Sequence, residues 1–363
     1  VKAAILEEFG KPLVVEEVEL LPPARNGAVV RTTASAFCVT DCINQRGGLG
    51  KRLPTILGHS GVGIVEELGA EVGDVQVGQR VIVPGTPECG VCYWCARGRP
   101  DQCADLFVPQ PHVADRASGE EVTSSGGGGT YAEKMRVPRS WLFPVETDLP
   151  DDQLSLMGCG ITTGLGAVFN AAAVEAGASV AVVGCGHLGL WMVQGARVAG
   201  ARQIVAVESR AERRALAGEL GATDLVDPAD GDAVEQVRAL TEGRGVDYAL
   251  EAAGPPAAQT QAILMTRRAG TAVLTGLESL DATVTLSQVD FALRGKTIRS
   301  CQNGMSRMRR DIPRYVRMLE EGVVTAAPII TSRYPLEEIN DALAASEARR
   351  DLSGVIVLGE PGA

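Results

Sequence analysis

The sequence predicts an α/β fold in two parts: a compact β-barrel-like unit and a doubly wound parallel sheet. Up to about residue 150 the chain reads as short β-rich runs, at 28–33, 62–68 and 80–83, punctuated by Gly69, Gly73, Gly78 and Pro84. At Ala178-Ser179-Val180-Ala181-Val182-Val183 the texture changes to a continuous apolar run of the kind a buried parallel strand shows. Helical and extended patterns then alternate at 188–199, 203–207, 210–220, 224–226, 233–240 and 246–251, as in a doubly wound sheet.

Taken in order, the glycine run 126–129 reads as a turn into a strand at 130–137. A helix begins near Asp151, and the Ala-rich stretch 162–176 has helical spacing. After residue 297 the pattern becomes irregular, with a helix around Pro313 to about 320 and a last strand at 353–358 that returns to the first part. The expected domains are therefore 1–156 with 298–363, carrying a cysteine-rich lobe at 87–104, and 157–297.

Composition bounds the function. At 363 residues, 45% hydrophobic and 22% charged, the chain is long enough for two cores. A net charge of −11 speaks against nucleic acid and anionic membrane surfaces. The opening residues Val1 to Leu6 form a strand-like pattern with no signal-peptide h-region, and no apolar run is long enough to span a bilayer. Nine cysteines, mostly in metal-like groupings, favour zinc over disulfides and a cytoplasmic setting.

Two groups carry metal chemistry. Cys89, Cys92, Cys95 and Cys103 follow C-x2-C-x2-C-x7-C, and four thiolates fill a tetrahedral zinc, leaving it no open position. Such a site fastens a loop that lacks a core. The second group is Cys38-Val39-Thr40-Asp41 with Gly58-His59-Ser60, and Cys159 is the candidate third ligand. Two thiolates and an imidazole leave one position open, the catalytic arrangement.

Gly184-Cys185-Gly186-His187-Leu188-Gly189 matches G-x-G-x-x-G between an apolar strand and a helical pattern. There the glycines let a pyrophosphate approach a helix N-terminus. Glu208, closing the next strand, is positioned to bind ribose hydroxyls and repel a 2′-phosphate, which predicts NAD in preference to NADP. Arg210 and Arg213 soften that preference or are helix-face charges. His187 is read as packing or hydrogen bonding near the pyrophosphate.

In these residues and their order the whole chain resembles the zinc-dependent medium-chain alcohol dehydrogenases, including the motif Gly158-Cys159-Gly160-x-Thr162-Thr163-Gly164. The resemblance implies a GroES-like β-barrel catalytic domain interrupted by a Rossmann domain, with the active site in the cleft between them. It implies a catalytic zinc on Cys38, His59 and Cys159 and a structural zinc on Cys89, Cys92, Cys95 and Cys103. It further implies that Thr40 accepts the alcohol proton, that Asp41 orients His59, and that Thr163 lies near the nicotinamide. The implied reaction moves a hydride between an alcohol and NAD, giving aldehyde or ketone, in a homodimer or homotetramer. A conjugate reductase and a non-catalytic dinucleotide-binding protein are the competing readings.

Three residues depart from the family's pattern. Ser60 stands where a Glu usually follows the ligand His. One fewer carboxylate at ~5 Å and an effective dielectric of ~20 is worth up to about 3 kcal/mol, which predicts a more electrophilic zinc. Ile43 replaces a relay His, and Val39 replaces a basic residue on the pyrophosphate. Gly85 suggests room for a larger apolar or aromatic substrate, with Leu49, Phe107, Val108 and Tyr131 as candidate walls. Arg307, Arg309, Arg310, Arg314 and Arg317 form a basic cluster whose readings are a solvated helix face, a subunit contact or a phosphate-bearing substrate.

Overall fold

The computed structural model describes residues 1–108, 111–124 and 128–358, without the side chains of Phe107 and Phe291. Gly126 and Gly127, read from sequence as part of a turn, lie outside the described residues. The chain divides into two units, Val1–Cys159 joined by the segment from Arg307 onward, and Gly160–Ser306. Both boundaries fall later than the change of texture in the sequence, for identifiable reasons. Gly85 N–H bonds the Gly158 carbonyl at 3.0 Å, which keeps the residues before Cys159 with the first unit. At the other end, strand Thr297–Ser300 pairs with Thr266–Leu274, and Ser306 Oγ donates to the Thr162 carbonyl at 2.9 Å.

The first unit holds two sheets. One is ordered Val14–Glu17, Lys2–Leu6, Thr55–Ile56, Glu121–Ser124, His112–Asp115, Glu19–Leu20. The other runs Phe143–Pro144, Arg80–Val83, Gly61–Leu68, Gly27–Ala36, Ser353–Val357, Ile330–Tyr334, with Lys134–Pro138 also on Gly27–Ala36. The late strand Ser353–Val357 thus pairs antiparallel with the early one, Val355 opposite Ala36. The expected strand at 130–137 starts later, at Lys134, because the backbone of Thr130 and Tyr131 bonds the carbonyls of Gly58 and Leu57 instead. This loop brings Tyr131 into a core with Leu6, Phe37, Leu57, Ile339 and Ile356, where its ring stacks on Phe37 at 5.9 Å.

The second unit is a six-stranded, all-parallel sheet in the order Asp224–Val226, Gln203–Val207, Ser179–Val183, Val246–Glu251, Thr266–Leu274, Thr297–Ser300. Every residue of Ser179–Val183 is buried, as a central strand covered on both faces requires. Helices His187–Val198, Ala211–Leu220, Ala233–Leu240 and Pro256–Met265 supply the crossovers. The stretch expected as one helix at 162–176 is shorter: Gly160–Gly166 is followed by a wider turn, Ala167–Ala172, and ends at Ala173 with φ 52°. Among the described residues no single helix is long and apolar enough to cross a membrane.

Candidate active site

Cys38 sits where strand Gly27–Ala36 gives way to the short helix Val39–Gln45, in extended conformation at φ −131°. Asp41 lies one turn in and closes the helix start reciprocally. Its N–H bonds the Cys38 carbonyl at 2.9 Å, and its Oδ2 accepts from Cys38 N–H at 3.4 Å. The other oxygen, Oδ1, meets His59 Nδ1 at 3.2 Å, with Asp41 fully buried. That contact leaves the imidazole's Nε2 as the nitrogen available to a ligand.

Cys38 Sγ and Cys159 Sγ are 3.9 Å apart, and with His59 their donor atoms all lie within 4.8 Å of one another. The Cys159 thiol, then His59, hold the Cys38 thiol well below its usual range against the opposing effect of burial. For His59 burial is the largest influence, yet the Asp41 carboxylate and Cys38 outweigh it and raise the imidazole. The proton so held is the one a bound cation displaces. Two soft sulfurs and one imidazole in this spacing fit zinc.

Thr40 Oγ1 is 3.5 Å from Cys38 Sγ, while Ile43, three residues on, is buried. Val39 is exposed. Ser60 is only 1% exposed, and its Oγ donates to the Ser155 carbonyl at 2.5 Å. The place expected to be open above Gly85 is occupied: a Cβ there would come within 3.1 Å of the His59 ring. Gly85 therefore seats the imidazole, which corrects its reading as a sign of pocket room.

Sequence reasoning named Tyr131 only as a possible pocket wall. The structure buries it completely and aims its hydroxyl at Asp41 Oδ2, to which it donates at 2.7 Å. No local spacing signals a partner so far along the chain. The only cue is that a buried carboxylate with one imidazole neighbour still needs a second donor.

Cys89, Cys92, Cys95 and Cys103 also bring their sulfurs within 4.8 Å of one another, and all four are free thiols. Backbone N–H groups of Cys95 and Ala104 point at Cys92 Sγ, at 3.5 and 3.4 Å. These bonds outweigh burial, which is the largest influence, and bring the Cys92 thiol down to about 6. Four converging sulfurs with amide donors fit a closed zinc site. Two members of the basic cluster, Arg307 and Arg309, serve this lobe. Arg309 donates to Glu88 from both backbone and guanidinium, and Arg307 lies against Gly98, where a Cβ would come within 2.6 Å of Nη2. Arg310 forks onto the buried Asp311, at 2.6 and 2.8 Å.

In the second unit the strand Ser179–Val183 runs into Gly184 at φ +87°, and Gly186 is the N-cap of His187–Val198, with no side chain capping the helix. A Cβ on Gly189 would strike the Gly184 carbonyl at 1.9 Å, whereas one on Gly186 would meet only Arg213 Nη1, at 3.5 Å. The loop is thus tight below and open above, a cradle that fits a pyrophosphate. Glu208 is 9% exposed and turned toward this loop: its Oε2 accepts from Cys185 N–H at 2.9 Å and its Oε1 from Arg210 N–H at 3.0 Å. A carboxylate so engaged still has acceptor capacity left.

Leu188 follows His187, the first residue of the helix, and a Cβ on Gly160 would come within 1.7 Å of His187 Nε2. Thr163 Oγ1 donates to Asn303 Oδ1 at 2.8 Å, and Thr162 Oγ1 to the same atom at 3.1 Å. Asn303 was not foreseen. Its left-handed backbone, at φ 42°, is one that Asn tolerates, and the Asn303-Gly304 pair was the available clue.

Comparison with known proteins matches residues 24–147 to the alcohol dehydrogenase GroES-like domain and residues 188–321 to the zinc-binding dehydrogenase domain. The chain belongs to the zinc-dependent medium-chain alcohol dehydrogenases. It is 33% identical to the S-(hydroxymethyl)glutathione dehydrogenase of Synechocystis sp., over 98% of this chain and 99% of that one. It is 34% identical to the geraniol dehydrogenase of Castellaniella defragrans, over 98% and 97%. The crystal structure of benzyl alcohol dehydrogenase from Acinetobacter calcoaceticus superimposes with a TM-score of 0.92 at 29% identity, covering 99% of both chains. This dehydrogenase is accordingly a zinc-dependent oxidoreductase acting on CH–OH groups with a nicotinamide cofactor.

Proposed function

We propose that this dehydrogenase oxidises primary alcohols whose carbinol carbon is attached to a C=C bond or an aromatic ring, using NAD. Benzyl alcohol and geraniol, named by two relatives, share that feature, and hydride loss next to an sp² carbon generates a conjugated aldehyde. The observation that carries the catalytic reading is the three-donor group Cys38, His59 and Cys159, set against the closed four-cysteine group. Bound there, zinc supplies Lewis acidity to the alcohol oxygen, and NAD at the glycine loop supplies the hydride acceptor.

The chain's own residues do the rest. Asp41 Oδ1 keeps the proton on His59 Nδ1 and fixes the ring, so that Nε2 is the nitrogen that would hold the metal. Thr40 Oγ1 takes the hydroxyl proton of the substrate, and Ile43, an alkyl side chain, carries it no further, so onward transfer would fall to water and to the ribose of a bound dinucleotide. Ser60 leaves the centre without an additional carboxylate. Gly184, Gly186, Leu188 and Gly189 admit the pyrophosphate to the N-terminus of His187–Val198, with His187 packed beside it. Arg213 stands over the loop, Thr163 would lie near a bound nicotinamide, and Glu208 would discriminate against a 2′-phosphate. The reading extends to a homodimer or homotetramer and to the cytoplasm, a setting supported by nine free cysteines.

The test is a kcat/KM series on zinc-loaded enzyme with NAD and with NADP. Its arms are benzylic and allylic primary alcohols, saturated alkanols of equal carbon number, S-(hydroxymethyl)glutathione, and NADH with enals. The expectation is at least about tenfold preference for the conjugated alcohols, the equivalent of ~1.4 kcal/mol, and for NAD. Equal rates on saturated alkanols, a preference for the glutathione adduct, or reduction of the enal C=C bond would sink this substrate assignment.

A further inference from the structure

The starts of the parallel strands carry a second constellation, at the opposite end of the sheet from the glycine loop. Arg202 precedes Gln203–Val207, Ser179 opens Ser179–Val183, Asp247 is second in Val246–Glu251, and Arg267 is second in Thr266–Leu274. These strands are consecutive neighbours in the sheet. Together with Thr241, Arg244 and Gly245 from the preceding loop, they line a cleft of about 270 Å³. Strand rise separates this edge from Gly184 by roughly 13 Å or more.

The charge in the cleft is unbalanced. Asp247 is fully engaged: Oδ2 accepts from Ser179 N–H and Oγ, both at 2.7 Å, and Oδ1 from Arg267 Nε at 2.6 Å. Arg267 Nη1 donates to the Arg268 carbonyl at 2.7 Å, so the guanidinium is held in one orientation. Among the described residues Arg244 pairs only with Glu242, at 3.1 Å, and that carboxylate is 81% exposed, where water competes for it. No partner accepts from the exposed Arg202 guanidinium among the described residues. Neutralising Asp247 requires Arg267 alone. Arg202 and Arg244 are therefore surplus positive charge, gathered into one concavity of a chain whose net charge is −11.

We propose that this cleft binds a small phosphoryl anion, a phosphate monoester or inorganic phosphate or pyrophosphate, held by Arg202, Arg244 and Arg267. Guanidinium forks match phosphoryl oxygens two at a time; Arg202 and Arg244 each offer one, and Arg267, with Nε and Nη1 engaged, adds the donors of Nη2, a set that suits a multiply charged group better than a single carboxylate. The volume lies below the roughly 300 Å³ at which sites for drug-sized ligands begin, so the occupant is a phosphate on a small body and not a whole dinucleotide. Occupancy ties the starts of the strands together and stabilises the second unit. The proposal does not depend on the substrate reading.

The test uses NAD-saturated enzyme, so that the glycine loop is filled, titrated calorimetrically with phosphate, pyrophosphate, glycerol phosphate and succinate. Saturable binding of a phosphoryl anion at about 1 mM or tighter is expected, weakened at least tenfold in both Arg202→Ala and Arg244→Ala, with alcohol turnover unchanged in both. A tighter curve for glycerol phosphate than for the inorganic anions assigns a monoester, and the reverse order assigns a free inorganic anion. The proposal is overturned by no saturation up to about 10 mM, by undiminished binding in both variants, or by succinate binding as tightly as the phosphoryl anions.

Discussion

Replacing Tyr131 with Phe isolates one hydrogen bond in the chain that ends at the metal-ligand imidazole. The substitution removes the hydroxyl that donates to Asp41 Oδ2 at 2.7 Å and keeps the ring stacked on Phe37. Burial, followed by the Asp41 carboxylate, holds this phenol far above its ordinary titration range, so it remains a donor at any working pH. Without it, Asp41 Oδ2 retains, among the described residues, only the long contact from Cys38 N–H at 3.4 Å, inside a fully buried site. A hydrogen bond to a charged group contributes about 1.5–3 kcal/mol, and the variant should lose about that much stability. The carboxylate that orients His59 is also freed to rotate, and loss of such support costs roughly 10–100-fold in metal affinity. The smaller figure applies here, because Asp41 itself remains. Zinc content after timed exposure to a chelator is the assay, with the four-cysteine lobe as internal control. Tyr131→Phe should fall to one zinc per chain about ten times faster than wild type, whereas Asp41→Asn with and without Tyr131→Phe should lose it at the same rate. Wild-type zinc retention in Tyr131→Phe, or an equal additional loss in the Asp41→Asn background, would refute the coupling.

Three other outcomes follow from the same geometry. Gly189→Ala should abolish stable expression, because its Cβ meets the Gly184 carbonyl at 1.9 Å, whereas Gly186→Ala should melt like wild type and bind NAD at least about tenfold more weakly, ~1.4 kcal/mol by tryptophan quenching. Glu208→Ala should move the NADP-to-NAD ratio of kcat/KM toward NADP by roughly tenfold, at the expense of the Cys185 N–H bond and a measurable drop in melting temperature. Asp247 is held below its usual range because bonds from Ser179 and Arg267 outweigh burial, its largest single influence. Its folded-state pKa is depressed, so its stabilisation is present above the unfolded value of about 3.9 and is lost as pH falls toward the lower folded value. Acid titration of stability should therefore be shallower in Asp247→Asn below about pH 4.

The parts legible in the sequence were those with short-range periodicity. The apolar run at 178–183 and the glycine spacing after it sit within one strand, turn and helix, and local sterics suffice to read them. Cys38 and Asp41 share one turn of helix for the same reason. What the sequence concealed depends on tertiary contact. The strand expected from residue 130 begins later because Thr130 and Tyr131 satisfy their backbone on Gly58 and Leu57, and that diversion delivers the hydroxyl to Asp41. The helix after Thr162 stops early, with a left-handed residue at Ala173, although Ala-rich composition favours continuation. Gly85 was read as absent bulk, but only the folded chain reveals that the His59 ring already fills the space.

Ser60 joins the two kinds of information. Sequence identifies it as a missing carboxylate next to a ligand His, and its consequence as a change in charge. The structure adds that its Oγ bonds the Ser155 carbonyl, and that a Cβ on Gly158 would come within 2.5 Å of that Oγ. Gly158 precedes Cys159, so the small side chain at position 60 and the glycine at 158 together set how closely the backbone leading to the third ligand packs on the segment that carries His59. A glutamate at 60 would have to displace this packing, and overfilling a tight site costs about 1–3 kcal/mol, comparable with the electrostatic effect of up to about 3 kcal/mol. Charge and packing therefore act on the same substitution with similar weight. A pair of variants of nearly equal side-chain volume, Ser60→Gln and Ser60→Glu, measured for both stability and pH–rate profile, separates the two contributions. Equal loss of stability in both, with the profile shifted only in Ser60→Glu, assigns the profile to charge.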